Sequence, residues 1–229
     1  MVHSEKFHNG AGFDLHARTT IMDYFSYMET AALRVGPFTL EFYNDKVFFN
    51  GYQFKPSQLP FEFGEENKYK LSVMEVEEGK NPKYYQYYKV DLGADSFMLF
   101  KFYKEFLTIS ISGHPKDFED SVGLLGDYET GAMISRDGKV LSNFELMGFE
   151  WQVNPEDPSL FMNLRGPQLP FEPCRLPTAA RPARRHLRAN RILAEAAQQA
   201  CAHVGGGTDR DLCVDDVLQT GDVGLADLW

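Results

Sequence analysis

Three acidic residues near the middle of the chain, Asp127, Glu129 and Asp137, have the type and spacing that come closest to a chemical site. Hard cations such as Ca²⁺ bind several oxygen ligands that converge from a flexible loop, and three glycines let the backbone turn tightly here. The spacing is not that of an EF-hand, and a chain with 33 acidic residues often brings three together by chance. The three acids are therefore candidate calcium ligands, with a solvated acidic surface as the alternative.

Catalytic signatures are absent from the sequence. The six histidines are scattered, and none forms the His-Glu-x-x-His pair of a zinc enzyme. No Gly-x-Ser-x-Gly nucleophile elbow, phosphate-binding loop or dinucleotide fingerprint occurs. The many carboxylates could supply the acid pair of a hydrolase, but the sequence gives no reason to select two of them. The sequence therefore favours a protein that is not an enzyme and that has no cofactor besides the candidate calcium.

Three cysteines, Cys174, Cys201 and Cys213, lie in the last quarter of the chain. Cys201 is near the end of one predicted helix and Cys213 near the start of the next, and two helices joined by a glycine turn can bring their Cβ atoms within bonding distance. We therefore predict a Cys201–Cys213 disulfide, which indicates an oxidising compartment. The odd number leaves the pairing of Cys174 open, and three reduced thiols in a cytosolic protein are the alternative.

Charge and composition limit the classes of partner. A formal net charge of −10 repels phosphates and argues against a nucleic-acid partner. The sequence contains no run of 18 apolar residues, so no membrane span is predicted. The N-terminal residues also lack the apolar stretch of a signal peptide. The aromatic content of 14%, mostly Phe and Tyr, favours strands, because flat side chains fit a pleated surface.

Residues 1–164 are predicted to form an antiparallel β-sandwich, so the fold class is mainly β. Apolar and polar residues alternate in short segments, and turn residues recur roughly every ten positions, which is typical of such sandwiches. A helical pattern fails, because apolar residues do not recur three and four positions apart. The predicted strands are 13–20, 25–35, 38–43, 47–49, 69–76, 84–92, 96–103 and 106–112.

Residues 165–191 are predicted to be a linker, because five prolines remove backbone donors and prevent regular structure. Five arginines between positions 181 and 191 also make the end of this segment basic in an acidic protein. A flexible tether is the simpler interpretation, and a segment that is cut by proteases or that docks an acidic partner is the alternative. The prolines and arginines are Pro167, Pro170, Pro173, Pro177, Pro182, Arg181, Arg184, Arg185, Arg188 and Arg191.

Residues 192–229 are predicted to form a small α-helical C-terminal appendage. Apolar residues at i,i+4 spacing place Ile192, Ala196, Ala200 and Val204 on one helix face. Three consecutive glycines at 205–207 end that helix. A second, short helix is predicted over 211–218, with Thr220 and Gly221 ending it.

Segment 122–153 resembles the second half of a von Willebrand factor type D domain, an extracellular β-rich module of adhesive and matrix proteins. The family pattern is Gly-Leu-Cys-Gly-Asn-Tyr, then an acidic pair, then Asp-Gly, and finally Trp-x-Val. Segments 13–20 and 27–36 also resemble early strands of the family, so the resemblance covers about residues 10–155. The chain is most similar to versions in algae and diatoms, whose Pro-rich and cysteine-containing continuation resembles 170–174 and 200–217. The matching motif residues are Gly123, Leu124, Gly126, Asp127, Tyr128, Asp137, Gly138, Trp151 and Val153.

Three departures from the family pattern change what the resemblance implies. The opening Asp-Pro-His-Phe strand and its cysteine are absent, which implies an N-terminally incomplete domain with an open sheet edge. Leu125 replaces the motif cysteine, and Cys174 is left without a partner in the missing strand. The acidic pair of the calcium loop is also missing, so the resemblance implies that calcium binding at Asp127, Glu129 and Asp137 is weak or absent.

The resemblance implies a non-catalytic adhesive or matrix module, located outside the cell or in a secretory lumen. Such a module binds other proteins or glycans through a rigid β surface, to which exposed aromatic side chains contribute contact area. Two alternatives belong to other classes. One is a structural subunit that joins a larger assembly through an open sheet edge, and the other is a hydrolase with an unrecognised carboxylate site.

Overall fold

The computed structural model describes residues 1–4, 7–44, 46–76, 80, 84–93, 95–124, 126–154, 156–162, 177–179 and 187–229. Strands dominate the first part of the chain, where they form two antiparallel sheets of seven and five strands. Helices are concentrated at the C-terminal end. The predicted fold class, mainly β with a small helical C-terminal region, is therefore confirmed.

The first sheet has seven strands in the spatial order β12-β1-β2-β3-β4-β5-β6. Sequential strands form antiparallel hairpins, and β12 returns from later in the chain to pair with β1. Because β1 pairs with both β2 and β12, the open edge that the resemblance implies does not lie beside β2. The strands are β1 Val2–Ser4, β2 Phe13–Met22, β3 Phe25–Val35, β4 Phe38–Tyr43, β5 Lys46–Phe49, β6 Tyr52–Phe54 and β12 Val122–Gly123.

The second sheet has five strands in the order β11-β10-β9-β8-β7, all antiparallel. Two long hairpins, β9–β10 and β10–β11, form its centre and one edge. Most of these strands agree with the alternating segments of the sequence, since one face of each packs on the core. The strands are β7 Phe61–Phe63, β8 Tyr69–Met74, β9 Tyr85–Gly93, β10 Ser96–Tyr103 and β11 Phe106–Ser112.

Alternate side chains of the two sheets form one hydrophobic core between them. Phe42 of β4 stacks on Phe100 of β10 with 4.0 Å between the ring centroids, so these two strands face each other across the core. At one side of the sandwich, the ring of Phe49 lies 4.9 Å from that of Phe61 and 5.1 Å from that of Phe63. Burial of each such side chain contributes about 1.5–3 kcal/mol, and these rings therefore hold the two sheets together.

Four α-helices accompany the sheets in the part of the chain that the structure describes. They are α1 Phe7–Gly10, α2 Phe144–Glu150, α3 Leu187–Ala200 and α4 Thr208–Thr220. The last two are the predicted tail helices, although α3 begins at Leu187 rather than at Ile192. Gly221 ends α4 as predicted, because its φ of 73° is a left-handed conformation that glycine adopts without strain. A 3-10 turn over Val223–Leu228 completes the tail.

The buried face of α3 overlaps in part with the predicted one. Of the four residues placed on one face, Ile192 is 61% exposed, whereas Val204 is buried and Ala200 packs against the core that the tail shares with the second sheet. Ala197 and Cys201 are also buried, because this side of the helix packs against α4 and the second sheet.

The segment after α2 returns over the outer face of the first sheet. Leu160 and Phe161 pack on Ala32 of β3, which is fully buried. The Arg18 guanidinium lies 5.1 Å from the centroid of the Phe161 ring. Residues 156–162 therefore cover part of a face that would otherwise be in contact with solvent.

Much of the predicted linker lies outside the described residues, namely 165–176 and 180–186. Leu125 and Cys174 also lie outside them, so the predictions about the missing motif cysteine and the pairing of Cys174 stay predictions. Among the helices that the structure describes, none is both long and apolar enough to span a membrane.

Candidate functional site

The three candidate calcium ligands are not gathered around a common point. One Asp127 carboxylate oxygen accepts hydrogen bonds from the backbone nitrogen and the hydroxyl of Thr130, at 2.7 and 2.6 Å. Asp137 accepts instead from the Ser135 hydroxyl and the Lys139 ammonium group. Over the described ranges, no three His, Cys, Asp or Glu side chains form a group that could hold a metal ion. Asp127, Glu129 and Asp137 thus do not form such a group, and each of the two aspartates accepts hydrogen bonds within its own turn.

Local hydrogen bonds stabilise the charged forms of both aspartates. The Thr130 hydroxyl and amide lower the pKa of Asp127 below its usual value. The Lys139 ammonium group, followed by the Ser135 hydroxyl, lowers the pKa of Asp137 to about 2. Both carboxylates are consequently ionised at neutral pH, and it is this charged form that accepts the hydrogen bonds of the two turns.

The other motif residues of segment 122–153 make structural contacts. The Tyr128 ring packs on Phe118 at 4.5 Å between centroids. Its hydroxyl donates to the Gly113 carbonyl at 3.1 Å and accepts from the Gly113 amide at 2.9 Å. Trp151 Nε1 donates to the Ile134 carbonyl at 2.7 Å. The Tyr128 contacts join the segment to Gly113 and Phe118, and the Trp151 bond joins two parts of the segment itself.

The predicted cysteine pair is present in the tail. The sulfur atoms of Cys201 and Cys213 lie 2.00 Å apart, and both residues are fully buried. The bond joins the turn that follows α3 to the body of α4. It therefore holds the two tail helices together at the point where they contact the second sheet.

The tail docks on the outer face of the second sheet. Tyr103 pairs directly with Tyr85 on one side and with Phe106 on the other, so the three side chains form a row across β9, β10 and β11. These rings and the apolar side chains of the tail, including Leu225 and Leu228, form a second hydrophobic core. The predicted appendage is thus packed on the sandwich rather than suspended beside it.

Two carboxylates of the tail bind the tyrosines of this row. The Tyr85 hydroxyl donates to Asp227 Oδ2 at 2.8 Å, and the Tyr103 hydroxyl donates to Asp222 Oδ1 at 2.9 Å. Burial, followed by the hydrogen bond to Asp227, raises the pKa of Tyr85 well above its usual value. Both phenols are therefore protonated donors at neutral pH, and they orient the last turn of the chain on the sheet.

Gly224 is where the tail approaches the sheet most tightly. A Cβ at this position would lie 2.5 Å from the Tyr103 hydroxyl oxygen and 3.1 Å from that of Tyr85. Any larger residue would have to displace one of the two tyrosines or the turn itself. The absence of a side chain at Gly224 therefore permits both tyrosine–carboxylate contacts.

A cleft of about 290 Å³ opens at the end of the sandwich beside this interface. Both sheets contribute to it. The middle of β3 and the β4–β5 turn come from the first sheet, and the residue before β9 and the β10–β11 turn come from the second. We call it the hairpin cleft. Its lining residues are Glu29, Tyr43, Asn44, Tyr84, Lys104 and Glu105.

The tail fixes the cation of the hairpin cleft. Lys104 Nζ lies 2.5 Å from Asp222 Oδ2 and 4.8 Å from the centroid of the Tyr103 ring. The hydrogen bond to Asp222 is the main reason that the pKa of Lys104 is raised above its usual value. The ammonium group is thus charged and held in one position, although it lies near the surface.

A β-bulge places the most buried carboxylate of the cleft. Arg18 pairs with Thr30 and Thr19 pairs with Met28, so Glu29 is an additional residue of β3 that the β2–β3 ladder skips. Glu29 is 5% exposed, and Oε2 accepts from the Thr20 hydroxyl at 3.3 Å. Bulges re-aim side chains and are frequent beside binding sites. Sequence reasoning missed Glu29, because a bulge depends on how two strands pair.

A second cavity, of about 340 Å³, lies along the β9–β10 hairpin. Among the described residues that line it, the only cation, Lys89, is already engaged, since Lys89 Nζ lies 2.6 Å from Asp91 and 4.6 Å from the centroid of the Phe97 ring. One hairpin supplies all of its walls. The hairpin cleft, with walls from both sheets, is therefore the stronger candidate for a binding site.

One histidine is buried in the first sheet. His16 is 3% exposed. Burial is the main reason that its pKa is lowered to about 4. Its neighbour Asp14 binds the ring of His3 and the guanidinium of Arg34. His16 is thus neutral at physiological pH, which fits a structural side chain better than a proton donor.

No protein-family model matches this chain, and no curated protein matches it either.

Proposed function

We propose that this chain is a non-catalytic extracellular binding module, of the type D kind that segment 122–153 resembles. It presents a rigid sandwich surface to other proteins or glycans. The observation that carries the proposal is the hairpin cleft, which both sheets build and which the docked tail fixes in place through Lys104 and Asp222. A preformed recess on a rigid scaffold suits binding, because little ordering entropy is lost when a partner arrives.

The disulfide supports an extracellular or secretory location. Bonds such as Cys201–Cys213 form and persist in oxidising compartments and are rare in the cytosol. Exposed aromatic side chains support a binding role. Phe149 and Tyr84 are 47% and 42% exposed, and such rings give large contact areas at small entropic cost.

An adhesion assay tests this function. Beads that carry the folded, oxidised chain are washed over an array of matrix proteins and glycans, and beads that carry the heat-unfolded chain are the control. We expect the folded protein to be retained on particular array members and to leave them chemically intact. Retention equal to that of the unfolded control would overturn the proposal.

A hydrolase is the alternative that one observation favours. Glu29 and Glu105 line the same cleft, and glycosidases use two carboxylates that flank the scissile bond. Incubation with oligosaccharides, followed by mass spectrometry, tests it. Product release by the wild type and its loss in both Glu29→Gln and Glu105→Gln would establish an enzyme in place of a binding module.

A subunit of a larger assembly is the remaining alternative. In the part of the chain that the structure describes, β11 forms a ladder with β10 alone, and Phe106–Ser112 carries no charged residue. Uncharged edge strands invite pairing with another chain. Sedimentation of the purified chain decides: concentration-dependent association favours this alternative, and a monomer at all concentrations counts against it.

A further inference from the structure

We infer that the hairpin cleft is a sugar-binding site that takes one or two units of a neutral glycan. This inference rests on the proposed function and specifies its ligand class. Glu29 comes from a bulged strand, Asn44 and Lys104 come from two turns, Tyr43 ends β4 and Tyr84 precedes β9. Four segments that are far apart in sequence thus converge on one recess.

The two tyrosines give the cleft aromatic surface. Tyr84 is 42% exposed, and Lys104 Nζ lies 5.8 Å from the centroid of its ring. A pyranose ring has a face of C–H groups that packs on an aromatic ring, as apolar surfaces do in small-molecule sites. The hydroxyl groups around its rim remain free to reach polar side chains.

The polar side chains combine donors with acceptors. The carboxylates of Glu29 and Glu105 accept hydrogen bonds, the ammonium of Lys104 donates, and the amide of Asn44 does both. A sugar hydroxyl also donates and accepts, so this mixture fits a polyhydroxylated neutral ligand. An anion would meet the two carboxylates of the wall, whereas the charge of Lys104 is already paired with Asp222, so an anionic glycan is disfavoured.

The size of the cleft limits the ligand. A volume of about 290 Å³ is slightly below the range of about 300–1,000 Å³ for small-molecule sites. The cleft therefore suits a terminal sugar or a short branch rather than a long segment of polymer. A single sugar has few atoms, so we expect a Kd of about 1 mM for a monosaccharide.

Amide chemical-shift titration of the oxidised full chain with glucose, galactose, mannose and xylose tests the inference. We expect saturable shifts at the cleft residues for at least one sugar. Tyr84→Ala and Glu29→Gln should each weaken that binding about tenfold, which corresponds to the loss of one good contact. The matched controls, Tyr52→Ala and Glu129→Gln, change an exposed tyrosine and an exposed carboxylate outside the cleft and should leave the affinity unchanged.

Each outcome supports or overturns either the sugar site or the proposed function. Saturable shifts at the cleft residues, together with weaker binding in Tyr84→Ala, would support the site. Because Tyr84 is exposed, its substitution keeps the test valid even if Glu29→Gln folds poorly. No saturable shift at about 100 mM of any sugar, with adhesion of coated beads intact, would overturn the sugar site and leave the proposed function standing. Tighter binding of methylguanidinium than of every sugar would identify a cation site and also overturn the inference. Loss of bead adhesion with sugar binding intact would count against the proposed function alone.

Discussion

Acidic residues in this protein close turns and anchor the tail more than they form a site of chemistry. Asp127 binds Thr130 within its own turn. Asp222 accepts from the Gly224 amide at 3.1 Å, so it begins the last turn of the chain, and it also binds Tyr103 and Lys104. The sequence shows where the carboxylates are, but only the paths of the loops determine which of them converge.

Substitutions at Asp127 separate its structural role from calcium binding. Asn keeps an oxygen that can accept from Thr130 and Ala does not, so we expect Asp127→Asn to be nearly neutral and Asp127→Ala to cost about 0.5–2 kcal/mol, as at a helix cap. Denaturant unfolding with and without added calcium measures both. A calcium site would show the opposite: Asn would be as damaging as Ala, and the wild type would gain stability with calcium.

His16 makes stability depend on pH in a defined window. Burial lowers its pKa in the folded state from 6.5 to about 4, so the unfolded chain binds the proton more readily. The contribution of the neutral ring is fully present above pH 6.5 and is lost as the pH falls toward 4. The loss is at most about 3 kcal/mol. We expect His16→Gln to reduce the pH dependence of unfolding free energy in this window. An unchanged slope would contradict this assignment.

Gly224 provides a test of the tail interface with a matched control. Gly224→Ala places a methyl group against Tyr103 and Tyr85, and such overpacking costs about 1–3 kcal/mol. A Cβ at Gly206 would meet no atom within 4 Å, so Gly206→Ala should change stability by no more than about 0.5 kcal/mol. Chemical unfolding of both variants checks the difference. Equal effects would show that the close approach at Gly224 is absent in solution.

At the scale of elements, strand prediction succeeded where one face of a strand is buried. The bounds of β3, β4, β10 and β11 agree with the predicted segments 25–35, 38–43, 96–103 and 106–112. Alternation is visible there because each strand packs on the core over many residues. It fails for β1, β6, β7 and β12, which have only two or three residues each. Distant partners determine such short strands, so their own sequence carries little of the signal.

The hairpin cleft could not be predicted from the sequence either, because distant parts of the chain position its residues. Glu29 is placed by a bulge, which depends on the β2–β3 register. Lys104 is placed by Asp222 of the tail, more than a hundred residues later. The glycine-rich motif around Asp127 is visible in the sequence because its residues are close together along the chain, whereas the cleft assembles residues that are distant in sequence.

Tyr128 is expected to hold the motif segment on the sandwich. Tyr128→Phe keeps the ring contact with Phe118 but removes both hydrogen bonds to the Gly113 backbone. Loss of partners for partly buried backbone groups costs about 1–3 kcal/mol. Tyr52→Phe, at a position that is 78% exposed, is the control and should be neutral. Thermal unfolding compares the two. A neutral Tyr128→Phe would mean that water replaces the phenol at no cost.

At the scale of the whole molecule, the C-terminal tail packs against the second sheet of the sandwich. It covers a row of aromatic side chains on the second sheet that would otherwise be exposed to water. Through Asp222 it also orients Lys104 in the hairpin cleft. The change in composition near residue 165 predicted a separate helical tail, but the last described strand already ends at Gly123, and composition could not show that α3 and α4 pack on the second sheet.

The Cys201–Cys213 bond should stabilise this docking more than the sandwich itself. It closes a loop with a sequence separation of 12, and loops of about 15 residues give about 3 kcal/mol. We expect Cys201→Ala/Cys213→Ala to lose about 2–3 kcal/mol and to show faster hydrogen exchange in α3 and α4 first, because β9 and β10 are also held by the core between the sheets. Cys174→Ala, which leaves the Cys201–Cys213 bond intact, is the control. Simultaneous loss of protection in the tail and in both sheets would show instead that the tail and the sandwich unfold as one cooperative unit.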